Sequence, residues 1–197
     1  MSDRKLTLII ATLFMAAAVA AIVAVYTWRD SGSGGIAKIG GPFTLVDQSG
    51  ATRTEADLKG RYALIYFGYT FCPDVCPTAL SDMIIALDEL GGAGEKVLPV
   101  FITIDPERDT PEILKTYVTQ FHPRLIGLTG NEAQISAAAR AYRVYFAKSK
   151  GAKPGEDYLM DHSSIIYVMD RDGRYMTHFS HGTSPETMTK RLKELIS

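Results

Sequence analysis

The groups best equipped for chemistry are two cysteines, the only two in the chain, separated by three residues within Phe71-Cys72-Pro73-Asp74-Val75-Cys76-Pro77. A loop this tight brings two sulfurs within disulfide distance or lets them converge on one ion, so the pair is either oxidised or metal-loaded, not both. A residue that precedes proline is pushed out of the helical region. Cys72 and Cys76 are therefore both expected in extended or cap-like conformations, with a helix proper beginning at Pro77. Near that N-terminus the unpaired backbone N–H groups and the positive end of the helix dipole favour the thiolate of Cys76, the form that binds metal. The plainer alternative is an inert disulfide of the kind exported domains carry. Such a bridge would close too short a loop to constrain the unfolded chain much, and this pair stands at a strand-to-helix junction, which favours a working role.

A third donor is sought among four histidines. His162 lies in Asp161-His162-Ser163-Ser164, on a loop directly before the apolar run Ile165-Ile166-Tyr167-Val168, and Asp161 is placed to orient its ring. By local context alone His162 reads more simply as a surface or capping residue. If it joins the cysteines, two thiolates and an imidazole form a soft set that suits Cu(I) and tolerates Cu(II) or Zn(II). Asp74, between the cysteines, is either a turn residue or an accessory oxygen donor, and the turn role fits the readiness of Asp to bond its own backbone. His178 and His181 read as surface residues, and His122, before Pro123, as a partner of a helix terminus.

The elements that must position these groups follow from periodicity. Phe43 to Val46 and Ala51 to Thr54 flank the turn cluster Asp47-Gln48-Ser49-Gly50, a hairpin. Tyr62 to Phe67 and Val97 to Ile104 are near-continuous apolar runs, as expected of strands buried on both faces. Leu80, Met83, Ile84, Leu87 and Leu90 recur at helical spacing and stop at Gly91-Gly92. Thr110-Pro111 caps a helix bearing Ile113, Leu114, Tyr117, Val118 and Phe121. A short strand is expected over Leu125 to Leu128, and Asn131 with Gln134 opens an Ala-rich helix by a variant capping box. After a loop from about Lys148 to Asp161, Ser164 to Met169 and Tyr175 to Phe179 are strands about Asp172-Gly173, and Ser184-Pro185 starts a final helix. The order predicts an α/β chain with a mixed central sheet flanked by helices, a thioredoxin-like arrangement with an N-terminal hairpin extension. Ligands of such sheets sit beyond the carboxyl ends of the parallel strands, where Cys72 and Asp105 both fall.

The chain has 197 residues and net charge −1, with no basic cluster, which argues against nucleic acid as a partner. From Leu6 to Trp28 run 23 residues without a formal charge, enough to reach roughly 34 Å as a helix and cross a bilayer. Arg4 and Lys5 precede the run, whereas Asp30 offsets Arg29 after it, so the N-terminus is expected in the cytoplasm and the domain outside. The run exceeds a signal-peptide core and no clear cleavage site follows it, and no Arg-rich transit segment precedes it. Those features favour an uncleaved anchor in a bacterial inner membrane, with the domain in the periplasm, over a mitochondrial one. The expected organisation is an anchor over residues 1–30, a flexible Gly/Ser linker over 31–41 and one globular domain over 42–197.

Three motifs taken together resemble the Sco/SenC family of copper proteins, thioredoxin-fold assembly factors for cytochrome c oxidase. They are Tyr66 through Pro77, then Ile104-Asp105-Pro106-Glu107-Arg108-Asp109-Thr110, then Asp157-Tyr158 with Asp161-His162-Ser163-Ser164, in the family's order from about Pro42 to the C-terminus. The resemblance implies Cys72, Cys76 and His162 as copper ligands, with Asp105 of the family pattern supporting beside the Asp74 and Asp161 already read from local context. It implies a metallochaperone that binds one copper ion, Cu(I) or Cu(II), and delivers it to the binuclear site of cytochrome c oxidase subunit II. The alternative is a thiol-disulfide oxidoreductase acting on the cysteines of that subunit, with Cys72 and Cys76 as the redox pair and His162 dispensable. A peroxidase would need an arginine in the Cys motif, which Thr78 to Asp82 lacks. Phe71 stands where many relatives carry a polar residue, often His, so contacts at the rim are expected to differ.

Overall fold

The computed structural model describes residues 15–21, 39–149 and 158–196. The chain divides into two compact units, residues 1–37 and 38–197. In the first, residues 15–21 are helical and exposed; the rest of the expected anchor and the Ser31-to-Gly35 spacer lie outside the described residues. Among the described residues no helix is long and apolar enough to cross a membrane.

In the second unit the elements follow the expected order. A hairpin of β1 (Thr44–Asp47) and β2 (Thr52–Thr54) leads to β3 (Tyr62–Gly68), α1 (Val75–Asp88), β4 (Val97–Thr103) and α2 (Pro111–Val118). Next come β5 (Ile126–Thr129), α3 (Glu132–Tyr142), the short strands β6 (Phe146–Lys148) and β7 (Met160–His162), then β8 (Ile165–Met169), β9 (Tyr175–Ser180) and α4 (Pro185–Ile196). Seven strands form one sheet in the order β2-β1-β5-β4-β3-β8-β9, and β6 and β7 form a separate ladder. Strands β3, β4 and β5 are parallel; β1 and β8 join them antiparallel.

The two central strands explain their sequence. Every residue of β4 and all but the first of β3 are buried, so neither shows the alternation of a half-exposed strand. Phe67 packs against Tyr142 of α3 on one face. On the other, Phe101 meets Tyr117 of α2, and Thr189 of α4 bonds the Ala86 carbonyl of α1 at 3.3 Å. The helix starts obey their caps. Thr110 Oγ1 accepts from the Ile113 amide at 3.4 Å with Pro111 in the first turn, and Asn131 and Gln134 bond each other's amides at 2.9 and 2.8 Å.

Three expectations are corrected. Helix α1 begins at Val75 rather than Pro77, so Cys76 is helical; Pro77 falls in the first turn, where its missing N–H would have had no partner anyway. Ile113 is 41% exposed and points away, while Leu114 and Val118 are buried in the core and Tyr117 and Phe121 pack against it. The presumed loop from Lys148 to Asp161 ends in a strand at each described side, with His162 itself in β7 opposite Phe146. Three-residue strands with at most one buried side chain carry no readable period.

Candidate metal centre

Strand β3 delivers the chain to the site at its carboxyl end. Beyond Gly68, the Cys72 amide bonds the Tyr69 carbonyl at 3.3 Å and closes a turn, and α1 then starts at once with Asp74 as its cap residue. That tight reversal aims both sulfurs at one point: the Cys76 amide donates to Cys72 Sγ at 3.3 Å. Both cysteines are free, Cys72 half-buried and Cys76 fully buried. A Cβ built on Gly68 would stand 2.8 Å from Cys76 Sγ, so only glycine lets the strand pass this close beneath the sulfur.

From the opposite side β7 brings His162, whose Nε2 lies 3.4 Å from Cys76 Sγ. The ligand atoms of Cys72, Cys76 and His162 all lie within 4.8 Å of one another. The tautomer follows from the partner of the second ring nitrogen. Nδ1 stands 3.1 Å from the Ser163 carbonyl oxygen, which can only accept, so Nδ1 carries the proton and Nε2 presents its lone pair to the sulfurs. Burial holds the imidazole below its ordinary range despite that bond and the Asp161 charge, which oppose it. The ring stands edge-on to Tyr66 and Tyr69, with centroids at 6.2 and 6.0 Å. Tyr69 is fixed in turn where its hydroxyl accepts from the Met160 amide at 3.2 Å.

The charge state expected of Cys76 is overturned. Burial, reinforced by the neighbouring Cys72, pushes its thiol up to about 12 against the pull of the Tyr69 amide. The helix terminus is outweighed by desolvation. A cation between the sulfurs supplies what the fold withholds, since a coordinated thiol gives up its proton. Two sulfurs and a neutral imidazole converging on one point fit a soft ion with few ligands.

The supporting residues divide. Asp74 is the N-cap residue of α1 but its side chain makes no capping bond to the backbone; its Oδ1 accepts from Thr78 Oγ1 at 3.4 Å. Asp161 does not make the orienting bond to His162: its carboxylate accepts from Ser149 Oγ at 2.9 Å, and the Ser163 carbonyl holds the ring instead. Asp105 is buried beyond β4, accepting from Arg108 Nε at 2.5 Å and from the Tyr158 hydroxyl at 2.7 Å. Sequence reasoning assigned no role to Asp109, yet this buried carboxylate accepts from the Thr70 amide at 3.0 Å and the Thr70 hydroxyl at 2.6 Å, and also from Thr103 Oγ1. Its position six residues past the end of a buried strand was the available signal. Burial raises Asp109 above the usual carboxylate range, against the bonds from Thr103 and Thr70. The remaining histidines lie elsewhere: His122 accepts from the Arg124 amide at 3.0 Å, and His178 pairs with Tyr175 at 2.5 Å on β9.

Cys72 and His162 open onto a cleft of about 380 Å³ lined also by Tyr69, Asp74 and Leu159 among others, with Cys76 buried behind them. Metal exchange with a second protein needs such access.

Comparison with known proteins agrees with this geometry. The family model described as SCO1/SenC matches residues 32–197. The SCO2-like protein of Rickettsia felis is 47% identical over 156 residues, covering 79% of this chain and 76% of its own length. Among solved structures, Bradyrhizobium japonicum ScoI with copper bound is 47% identical, with a TM-score of 0.72 over 79% of this chain and 98% of that one. Arabidopsis thaliana ScoI with copper bound is 41% identical, with a TM-score of 0.75 over 80% of this chain and 98% of that one. A match over most of the chain, relatives at this identity and a shared thioredoxin-like fold lead to one assignment: the chain belongs to the SCO1/SenC family.

Proposed function

We propose that this protein is a copper metallochaperone that carries one copper ion on Cys72, Cys76 and His162 and passes it to the binuclear copper site of cytochrome c oxidase subunit II. The domain, residues 42–197, works outside a bacterial inner membrane, held by an anchor over 1–30 through a linker over 31–41. The observation that carries the copper reading is the lone pair of His162 Nε2 held 3.4 Å from Cys76 Sγ with its tautomer fixed by a carbonyl. A redox pair alone has no need of a third donor so placed. Relatives with copper bound, at 41% and 47% identity, support the choice of metal. A three-donor site open on one side releases its cargo stepwise: an incoming sulfur adds to the ion before one of the three lets go.

A second reading rests on the unequal burial of the sulfurs. Cys72 is half-exposed and Cys76 buried, so Cys72 can attack a disulfide of the recipient and Cys76 can resolve the mixed disulfide. Two thiols are then oxidised to one disulfide while the recipient's disulfide becomes two thiols. Anaerobic titration of reduced protein with Cu(I) separates the two. The chaperone reading expects one tightly bound equivalent, and a loss of affinity on the order of 100-fold or more in His162→Ala, since even indirect partners of a ligand are worth about 10- to 100-fold. Negligible copper binding with reductase activity intact in both proteins would overturn it.

A further inference from the structure

Two aromatic rings beside the centre pack closely on one guanidinium, and a third, Tyr69, lies 5.8 Å from it. Arg108 Cζ lies 3.7 Å from the ring centroid of Tyr158 and 4.6 Å from that of Phe71. Phe71 is the residue before Cys72, and Tyr158 leads within four residues to His162. Asp105 binds the group from below, one carboxylate oxygen accepting from Arg108 Nε at 2.5 Å and the other from the Tyr158 hydroxyl at 2.7 Å. Both terminal nitrogens of Arg108 are buried without a hydrogen-bond acceptor among the described residues. A guanidinium with donors left over is held here by ring faces and one carboxylate rather than by a full set of acceptors.

The backbone leaves this contact work to do. The segment before Cys72 is tied to the main sheet by Asp109 through Thr70. Strand β7 belongs to the separate two-stranded ladder; the main sheet anchors it on one side, where β8 starts three residues past His162 and pairs with β3, while among the described residues no ladder joins the Tyr158 side to the Cys72 segment, and there side chains make the link. Tyr69 bonds Met160 at 3.2 Å, and Arg108 touches a ring from each ligand-bearing segment.

We infer that Arg108 is a positioning residue for the metal centre: through Phe71 and Tyr158 it joins the segment leading into Cys72 to the segment leading into His162 and keeps the three donors within reach of one ion. This rests on the copper reading above, and the test keeps the two apart. Amide hydrogen exchange is followed by mass spectrometry on the reduced, metal-free full chain in detergent. Cu(I) affinity is measured in parallel by competition with a colorimetric chelator. Arg108→Lys keeps the charge but not the planar stack; Tyr158→Phe keeps the ring but loses the bonds to Asp105 and Glu107.

Faster exchange is expected in both segments of Arg108→Lys, with the β3 and β4 core unchanged and Cu(I) affinity down on the order of 10-fold. In Tyr158→Phe the loosening is confined to the His162 side. Wild-type exchange rates in Arg108→Lys, loosening of its own loop alone, or faster exchange with unaltered copper affinity would each overturn the proposal. Should Arg108→Lys loosen the core as well, Tyr158→Phe decides by the same criteria. A wild-type protein that holds no Cu(I) sinks the copper reading instead, and the exchange data then judge the stack by itself.

Discussion

At the scale of single residues the site is built by exclusion of volume as much as by donors. Cys76 Sγ sits where a side chain on the neighbouring strand would otherwise be: a Cβ at Gly68 would approach it to 2.8 Å, and the rings of Phe101 and Tyr66 to 3.0 Å. Gly68→Ala must therefore displace the sulfur or the strand. Overpacking of this kind costs about 1–3 kcal/mol, and because one of the displaced atoms is a metal donor, Cu(I) affinity falls in the same variant. Urea unfolding and chelator competition check the two effects; a variant as stable as wild type with undiminished affinity would refute the account. Two of the candidate donors stood out in the sequence as its only cysteines, Cys72 and Cys76, whereas His162, one of four histidines, read by local context as a surface or capping residue and was singled out only by the family resemblance. What orients the donors was not legible. The group that fixes the His162 tautomer is the main-chain carbonyl of Ser163, which every residue possesses, and so the charged neighbour Asp161 drew the role instead. The elevated Cys76 thiol was equally hidden, since it comes from burial by strands distant in sequence.

At the scale of elements, the scaffold and the site answer to different residues. The edge hairpin of β1 and β2 is centred on Asp47, whose oxygens accept from the Ser49 hydroxyl and amide, the Ala51 amide and Arg53 Nε at 2.6 to 3.0 Å. Burial pushes this carboxyl up, but those donors outweigh it and hold it at about 2 against an ordinary 3.8. A folded value below the unfolded one stabilises the protein above the unfolded value and ceases to do so as pH falls toward the folded one. Asp47→Asn is expected to cost roughly 2 kcal/mol at neutral pH, with the gap from wild type closing as pH falls from about 4 to 2. Cu(I) affinity at neutral pH stays unchanged, because the hairpin lies at the sheet edge beyond β5 and the donors beyond β3. Urea denaturation across that pH range measures the first, and a gap independent of pH would contradict it. Elements with strong signals were readable in this way: the capped starts of α2 and α3 and the apolar runs of β3 and β4 stand where their patterns put them, although α2 ends at Val118 rather than reaching Phe121. The ladder of β6 and β7 was not, because its strands pair only three residues each and are held by contacts from distant segments, the Tyr69 hydroxyl on the Met160 amide and Glu107 on Lys148.

At the scale of the whole molecule the proposed anchor sets where the copper centre can work. Ile39 packs against the core and the Gly40 amide bonds the Ala141 carbonyl at 2.9 Å, so at most residues 31–38 of the proposed linker would serve as a tether, and a flexible chain of that length would have a typical end-to-end span of about 16 Å. The domain would then meet only acceptors whose copper site lies near the membrane surface, as that of a membrane-bound oxidase subunit would. This constrains topology as well as distance. If Arg4 and Lys5 retain the N-terminus in the cytoplasm, the sulfurs face an oxidising compartment, where a bound ion protects the pair from closing into a disulfide. In cells expressing the full chain, the protein should stay with the membrane through alkaline carbonate extraction. Protease added to spheroplasts should then remove the domain while intact cells protect it. Release by carbonate, or resistance in spheroplasts that ends only on lysis of the inner membrane, would place the copper centre on the wrong side for this cargo route.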